Sequence, residues 1–219
     1  MTSRRLPGKV MADFAGRPLV GQVVSGVRAA TGLDQIVLAV SDDPSDEPLV
    51  RFAEESGIAC VRGDLDDVAK RVIDAGSAFG ADGIVRICGD SPLLDPEIIT
   101  ASVALFRSLG PDLVSNVMPR TFPKGQSVEV IRLDTLRREW SRGMSAEERE
   151  HVTLRFHAQS ERFSIVRIVR TPSDEQLQLS VDTPDDLARL SRIATRLGVS
   201  ERRPTLAGLI RECALPVHE

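Results

Sequence analysis

A chain of 219 residues with 28 basic and 32 acidic side chains and a net charge of −4 is long enough to bury one large α/β core. Its positive charge is too dispersed for nucleic acid to be the main partner. Cys60, Cys88 and Cys213 are too few and too scattered for a disulfide framework or a zinc site, no run approaches the apolar length of a membrane span, and the start lacks a secretory apolar stretch, so a cytoplasmic protein without membrane partners is expected.

Strand-like apolar runs alternate with amphipathic segments, the pattern of βα units feeding a mostly parallel sheet. Pro18 opens a helix to about Ala30, with Leu19, Val23, Val24 and Val27 on one face and Gly32 beyond its end. A strand follows over Gln35 to Ser41. Pro48 then starts a helix that Gly57 caps, and Ile58 to Val61 forms a short strand. A helix covers Asp66 to Phe79, and Ile84 to Cys88 reads as a buried strand. Asp95-Pro96 caps a helix ending near Gly110, before a strand over Leu113 to Val117.

From Met118 to Ser127 the chain becomes a polar, Pro- and Gly-broken loop of the kind that carries function. Val128 to Leu133 resumes as a strand. Ser145 to Glu148 forms a capping box for one helix carrying Glu150, His151 and, farther along, His157. Phe163 to Val169 and Leu177 to Val181 read as two more strands. Helices from Thr183-Pro184 and from about Pro204 to Cys213 complete the pattern.

Two corners repeat one design: an apolar run, an aspartate, a small hydroxyl residue and a proline. They are Gly89-Asp90-Ser91-Pro92 and Val181-Asp182-Thr183-Pro184. At the carboxyl edge of an open α/β sheet, two such carboxylates can share one hard cation, and magnesium held that way carries substrate phosphates. Either aspartate alone also builds a turn or an N-cap. The matching anion site is Ser3-Arg4-Arg5-Leu6-Pro7-Gly8-Lys9, a basic, glycine-containing loop suited to polyphosphate.

Ser3 and Val10 stand where a Walker A loop needs its first glycine and its magnesium-binding hydroxyl, which argues against a P-loop ATPase, and no G-x-G-x-x-G is present to support a dinucleotide-binding dehydrogenase. Arg62, Gly63, Asp67 and Arg71 suit either a phosphate or nucleotide contact or a surface ion pair. His151 reads as a base, a ligand or a packed helix residue, and neither His157 nor His218 carries a role.

Together these segments resemble the cytidylyltransferases of the spore-coat polysaccharide biosynthesis type, similar in turn to 3-deoxy-manno-octulosonate and acylneuraminate cytidylyltransferases. The likeness is carried by Ser3 to Lys9, Arg62-Gly63 with Asp67-Val68, Gly89 to Leu94, Ser115-Asn116, Arg120 to Pro123, Val128 to Val130, Arg149 to Thr153 and Val181 to Leu187, in order along nearly the whole chain. The resemblance implies a Rossmann-like nucleotidyltransferase fold, CTP as substrate, magnesium on Asp90 and Asp182, and a homodimer. On this reading Arg5 and Lys9 act on the phosphates, with Ser3, Gly8, Arg62, Asp67 and Arg71 as further nucleotide contacts. Asn116, Arg120 and Glu129 face a sugar-type acceptor, and 118–160 is an acceptor or dimerisation subregion of a single domain, 1–219.

Two departures stand out. The apolar strand and Gln-Ala-Arg segment that precede the loop in family members have no counterpart, so a sheet lacking its usual first strand is expected. Phe122 to Ser127 replaces the family's more acidic Pro-Asp-Gly-Leu-Asp. Two readings of other classes stand beside the enzyme: a non-catalytic nucleotide- or sugar-binding module, and a nucleotide-sugar-dependent glycosyltransferase, for which Gly89-Asp90-Ser91 lacks the Asp-x-Asp pair.

Overall fold

A computed structural model describes residues 5–199 and 203–214. Among them, β1 (Asp13–Phe14) and β2 (Arg17–Pro18) form a small antiparallel hairpin, and β3 (Val37–Ser41) pairs in parallel with β4 (Ala59–Gly63). The strands β5 (Gly83–Arg86), β6 (Leu113–Ser115), β7 (Glu129–Arg132) and β8 (Ile165–Arg167) make one sheet in the order β5-β7-β6-β8. There β7 runs against both its neighbours while β6 and β8 are parallel, so β5, β6 and β8 share a direction. The helices are α1 (Leu19–Ala29), α2 (Glu47–Glu55), α3 (Val68–Ala78), α4 (Pro96–Leu109), α5 (Leu133–Ser141), α6 (Ala146–Glu150), α7 (Leu154–Ala158), α8 (Pro184–Arg196) and α9 (Leu206–Cys213).

The four-stranded sheet is organised in cross-strand rows, because directly paired residues share a face and successive rows alternate. Val85, Val130, Val114 and Val166 form one row, packed into a core with Leu19 and Val23 of α1, Ile98 and Ile99 of α4, Leu190 and Ile193 of α8 and Leu209 of α9. Ile84, Ile131, Leu113 and Ile165 form the next row on the opposite face, under Val72 and Ile73 of α3, Leu136 of α5 and Phe156 of α7. Helices thus cover both faces, which a strand apolar on both sides requires. Truncating a fully buried member such as Leu113 or Ile131 to alanine costs about 2–5 kcal/mol. A third cluster joins Val20 and Val24 of α1 to Ala53 and Ile58 beside β3 and β4.

A further row, Arg86, Glu129, Ser115 and Arg167, lies at the carboxyl ends of β5, β6 and β8. It is polar, and it marks the edge where the chain turns toward Asp90. One buried side chain ties this end together: Asp95 caps α4 by accepting from Glu97 N (3.0 Å), accepts from Leu206 N at the start of α9 (2.7 Å), and has its own amide bonded to Gln126 Oε1 (3.0 Å).

Several elements differ from the sequence expectation. β7 is antiparallel within an otherwise parallel sheet. α5 follows β7 directly, where the sequence pattern predicts no helix. The strand before Asp90 ends at Arg86 and is half-buried rather than buried. Residues 177–181 form no strand ladder: their neighbour is the 118–127 loop, and only one bridge forms, Lys124 with Gln178. The single helix expected from Ser145 through His157 is two, α6 and α7, broken where buried Val152 takes φ 27°. Among the described residues no helix is long and apolar enough to cross a membrane.

Candidate active site

The amino-terminal loop is turned inward by Gly8, which adopts the left-handed conformation (φ 69°) that costs glycine little. Lys9 N bonds Leu6 O (3.2 Å) and Met11 N bonds Gly8 O (2.9 Å), making a tight turn over Lys9–Met11. Val10 packs where a side chain on Gly89 would stand, 3.6 Å away, so this loop lies directly against the Asp90 corner. The ammonium of Lys9 consequently reaches Asp90 Oδ2 at 2.8 Å, Asp182 Oδ1 at 3.3 Å and Val181 O at 2.7 Å. Arg5, two-thirds exposed, adds a contact to Asp182 Oδ1 at 3.1 Å.

The second aspartate is placed by different means. Val181 N bonds Asp90 O (2.9 Å), and Lys124 exchanges backbone bonds with Leu177 and Leu179. Thr183 and Asp186 form a capping box that starts α8 at once, so the aspartate is fixed at a helix entrance. Gln178 Nε2 donates to Asp182 Oδ2 at 3.0 Å. Asp90 Oδ1 receives the hydroxyl of Ser91 at 3.3 Å. Both carboxylates keep about a quarter of their side-chain surface open (27% and 25%), enough to meet a ligand.

Arg5, Gly8, Lys9, Asp90 and Asp182 are therefore brought together, while Ser3 lies outside the described residues. Arg62, Asp67 and Arg71 bond no member of that cluster. Arg62 bonds Glu47 Oε2 (3.1 Å) and Asp42 O (3.2 Å). Asp67 caps α3 through Lys70 N (2.8 Å) and accepts from Trp140 Nε1 (3.0 Å). Arg71 lies under Gly63 and donates to Asp64 O (2.7 Å), and burial pushes its pKa down from the ordinary value. His151 ends α6 on the surface.

A cytidylyltransferase family model matches residues 1–191. The chain belongs to the cytidylyltransferase family. It is 28% identical over 206 residues to the spore coat polysaccharide biosynthesis protein SpsF of Bacillus subtilis, covering 90% of this chain and 84% of that one. It is 29% identical over 136 residues to a 3-deoxy-manno-octulosonate cytidylyltransferase of Anaeromyxobacter, 61% of this chain and 54% of that one. A cytidylyltransferase structure from Leptospira borgpetersenii superposes with TM-score 0.90 at 24% identity, covering 100% of this chain and 95% of that one. CMP:2-keto-3-deoxy-manno-octonic acid synthetase complexed with CTP gives TM-score 0.67 at 16% identity, covering 89% and 95%. The fold is that of the nucleotidyltransferases, and family membership places the chemistry in nucleotidyl transfer.

Within this cytidylyltransferase, the three residues expected to face an acceptor make different contacts with the rest of the chain. Asn116 is buried and spends its amide on the loop backbone, donating to Gln126 O (2.7 Å) and accepting from Val128 N (2.8 Å). Arg120 is half-buried and donates to Ser127 Oγ (3.2 Å). Glu129 is 4% exposed and accepts from Ser115 Oγ (3.1 Å) and Thr153 Oγ1 (2.8 Å), contacts His157 Nε2 (3.0 Å), and pairs with Arg86 at 3.4 Å. Burial alone would raise its pKa; the bond to His157, with Arg86 and Thr153, outweighs that and holds it below the ordinary value.

The sequence pattern alone assigns no role to His157, Arg86 or Gln178. Arg86 interrupts an apolar strand run, a signal that could have found it. His157 carried none, because its contact with Glu129 depends on the helix break at Val152. Burial pushes the Cys88 thiol up from its ordinary value, with smaller influences from the charges of Arg86, Asp90, Glu129 and Lys9.

The donor set beside Lys9 fits magnesium: two carboxylates, oxygen ligands only, partly open. Among the described residues no group of three or more His, Cys, Asp or Glu could cage a metal. A cation here would draw its remaining ligands from phosphate and water, the usual magnesium pattern.

Proposed function

We propose that the protein transfers CMP from CTP to an oxygen of a sugar or sugar-acid precursor of surface polysaccharide. The acceptor oxygen attacks the α-phosphorus, the bond from that phosphorus to the α,β-bridging oxygen breaks, and pyrophosphate leaves with the electron pair; a hydroxyl acceptor gives its proton to solvent. The reading rests on one observation: the Lys9 ammonium lies within hydrogen-bonding distance of both Asp90 and Asp182. Cationic and anionic groups so interleaved suit a triphosphate and its counter-ion. The names of the relatives, a spore-coat polysaccharide protein and sugar-acid cytidylyltransferases, support the acceptor class.

Arg5 and Lys9 neutralise the departing phosphates, and the Gly8 turn orients them. Asp90 and Asp182 would hold magnesium, which when bound supplies charge neutralisation at the phosphoryl oxygens. On the acceptor side, Arg120 and Arg86 offer guanidinium groups to an anionic sugar. Glu129 orients Arg86 instead of meeting substrate, and Asn116 shapes the loop. The family likeness supports a homodimer, with 118–160 contributing to its interface.

The test is pyrophosphate release from CTP and magnesium with a panel of sugar acids that includes 3-deoxy-manno-octulosonate. Asp90→Asn or Asp182→Asn should each lower the rate about 100-fold or more. Release unaffected by both substitutions together refutes the assignment.

A further inference from the structure

The contacts of Lys9 bear on how the cation reaches this site, an inference that rests on the reading above. Nζ lies 2.8 Å from Asp90 Oδ2 and 3.3 Å from Asp182 Oδ1, with Val181 O at 2.7 Å. The two carboxylate oxygens are thus no farther apart than the sum of those two contacts, and the space between them holds an ammonium. Lys9 is 12% exposed, so its stem is packed and its head is committed. A magnesium ion needs its oxygens at about 2.1 Å and cannot share that space with a lysine head group, both because of volume and because two like charges would be side by side.

We infer that Lys9 occupies the seat of the divalent cation in the free protein, so that the cation is admitted only together with a polyphosphate. The phosphates supply a second anionic partner for the ammonium. Lys9 transfers from the two aspartates to the phosphates, and the vacated carboxylates receive the ion. Loading is therefore ordered by charge: metal alone is rejected, nucleotide alone meets Arg5 and Lys9, and the two enter as a pair. Arg5 reinforces this, because it too lies on Asp182, at 3.1 Å, and is exposed enough to follow the phosphates.

The experiment is manganese binding to the full chain without nucleotide, read by electron paramagnetic resonance of the free ion, for the wild type and for Lys9→Met. Methionine keeps the packed stem and removes the charge. Loss of that unit charge should tighten manganese binding by at least about tenfold. The gain should disappear when Asp90→Asn and Asp182→Asn are added, which locates it at this pair. In the wild type, CTP without acceptor should restore manganese binding in a ternary complex, seen as enhanced water-proton relaxation. Lys9→Gln gives a second charge-free side chain should methionine disturb folding, and circular dichroism melts verify both variants.

Wild-type protein that binds manganese alone as tightly as Lys9→Met overturns the ordered loading while leaving cytidylyl transfer standing. Manganese that binds neither variant, with or without CTP, overturns both, because the aspartate pair is then not a cation site.

Discussion

The main-chain amide of Val181 donates to the carbonyl of Asp90 at 2.9 Å, so the two acidic corners are joined through backbone as well as through Lys9. What lets residues 177–182 lie this close to the 118–127 loop is Gly125. At φ 92°, a side chain there would lie 2.4 Å from the Leu179 carbonyl carbon. Gly125→Ala should therefore destabilise the fold by about 2–3 kcal/mol in chemical denaturation. It should also lower the affinity for CTP with magnesium, because Asp182 shifts with its segment. A variant with wild-type stability and affinity would show that this approach does not position the site.

Glu129 serves several donors at once. Glu129→Ala leaves the Ser115 and Thr153 hydroxyls, His157 and the Arg86 guanidinium without their acceptor in a buried place, a loss of about 3 kcal/mol. Glu129→Gln keeps one carbonyl acceptor and should lose clearly less. The ordering of the two urea midpoints is the measurement, and equal midpoints would mean the network contributes nothing as a unit.

Asp67 couples the start of α3 to Trp140, the one tryptophan in the sequence. Asp67→Ala removes a cap and an indole hydrogen bond together, costing about 1–2 kcal/mol. The indole loses its carboxylate neighbour, so tryptophan emission should change in the folded state as well as the melting temperature falling. A melting shift with unaltered emission would argue against the indole contact.

The parts of the fold that could be read from sequence are those set by local chemistry. Asp95-Pro96, Thr183-Pro184 and Ser145 to Glu148 announce helix starts because the cap is made within three residues. α5 gives no such signal: it follows β7 with Arg132 at the cap and no side-chain cap bond, so only tertiary packing of Leu133 and Leu136 marks it. Residues 177–181 carry a strand's alternation and bury Leu179 and Val181, yet their neighbour is a loop, which no pattern within the segment reveals. The aspartate corners were legible for the same local reason as the caps. The Glu129 network was not, because it depends on the register that sets Arg86 and Ser115 on either side of Glu129.

Acid stability offers a test on the α6–α7 unit, away from the aspartate pair. Glu148 accepts two bonds from Arg155, at Nε (2.8 Å) and a terminal nitrogen (2.7 Å), and one from Ser145 N (2.8 Å). The Arg155 bond, followed by the Ser145 backbone, lowers its pKa from 4.5 to about 2. A carboxylate depressed in the folded state contributes stability that is fully present above its unfolded pKa and is lost as pH falls through the folded one. The interval is from about 4.5 down to about 2. Glu148→Gln lacks that contribution at every pH. Its melting temperature should lie below the wild type's by a constant margin above the upper limit, and the margin should close as the lower limit is approached. Parallel curves across the whole interval would mean that the charge on Glu148 does not stabilise the α6–α7 turn, leaving the break at Val152 to be held by packing alone.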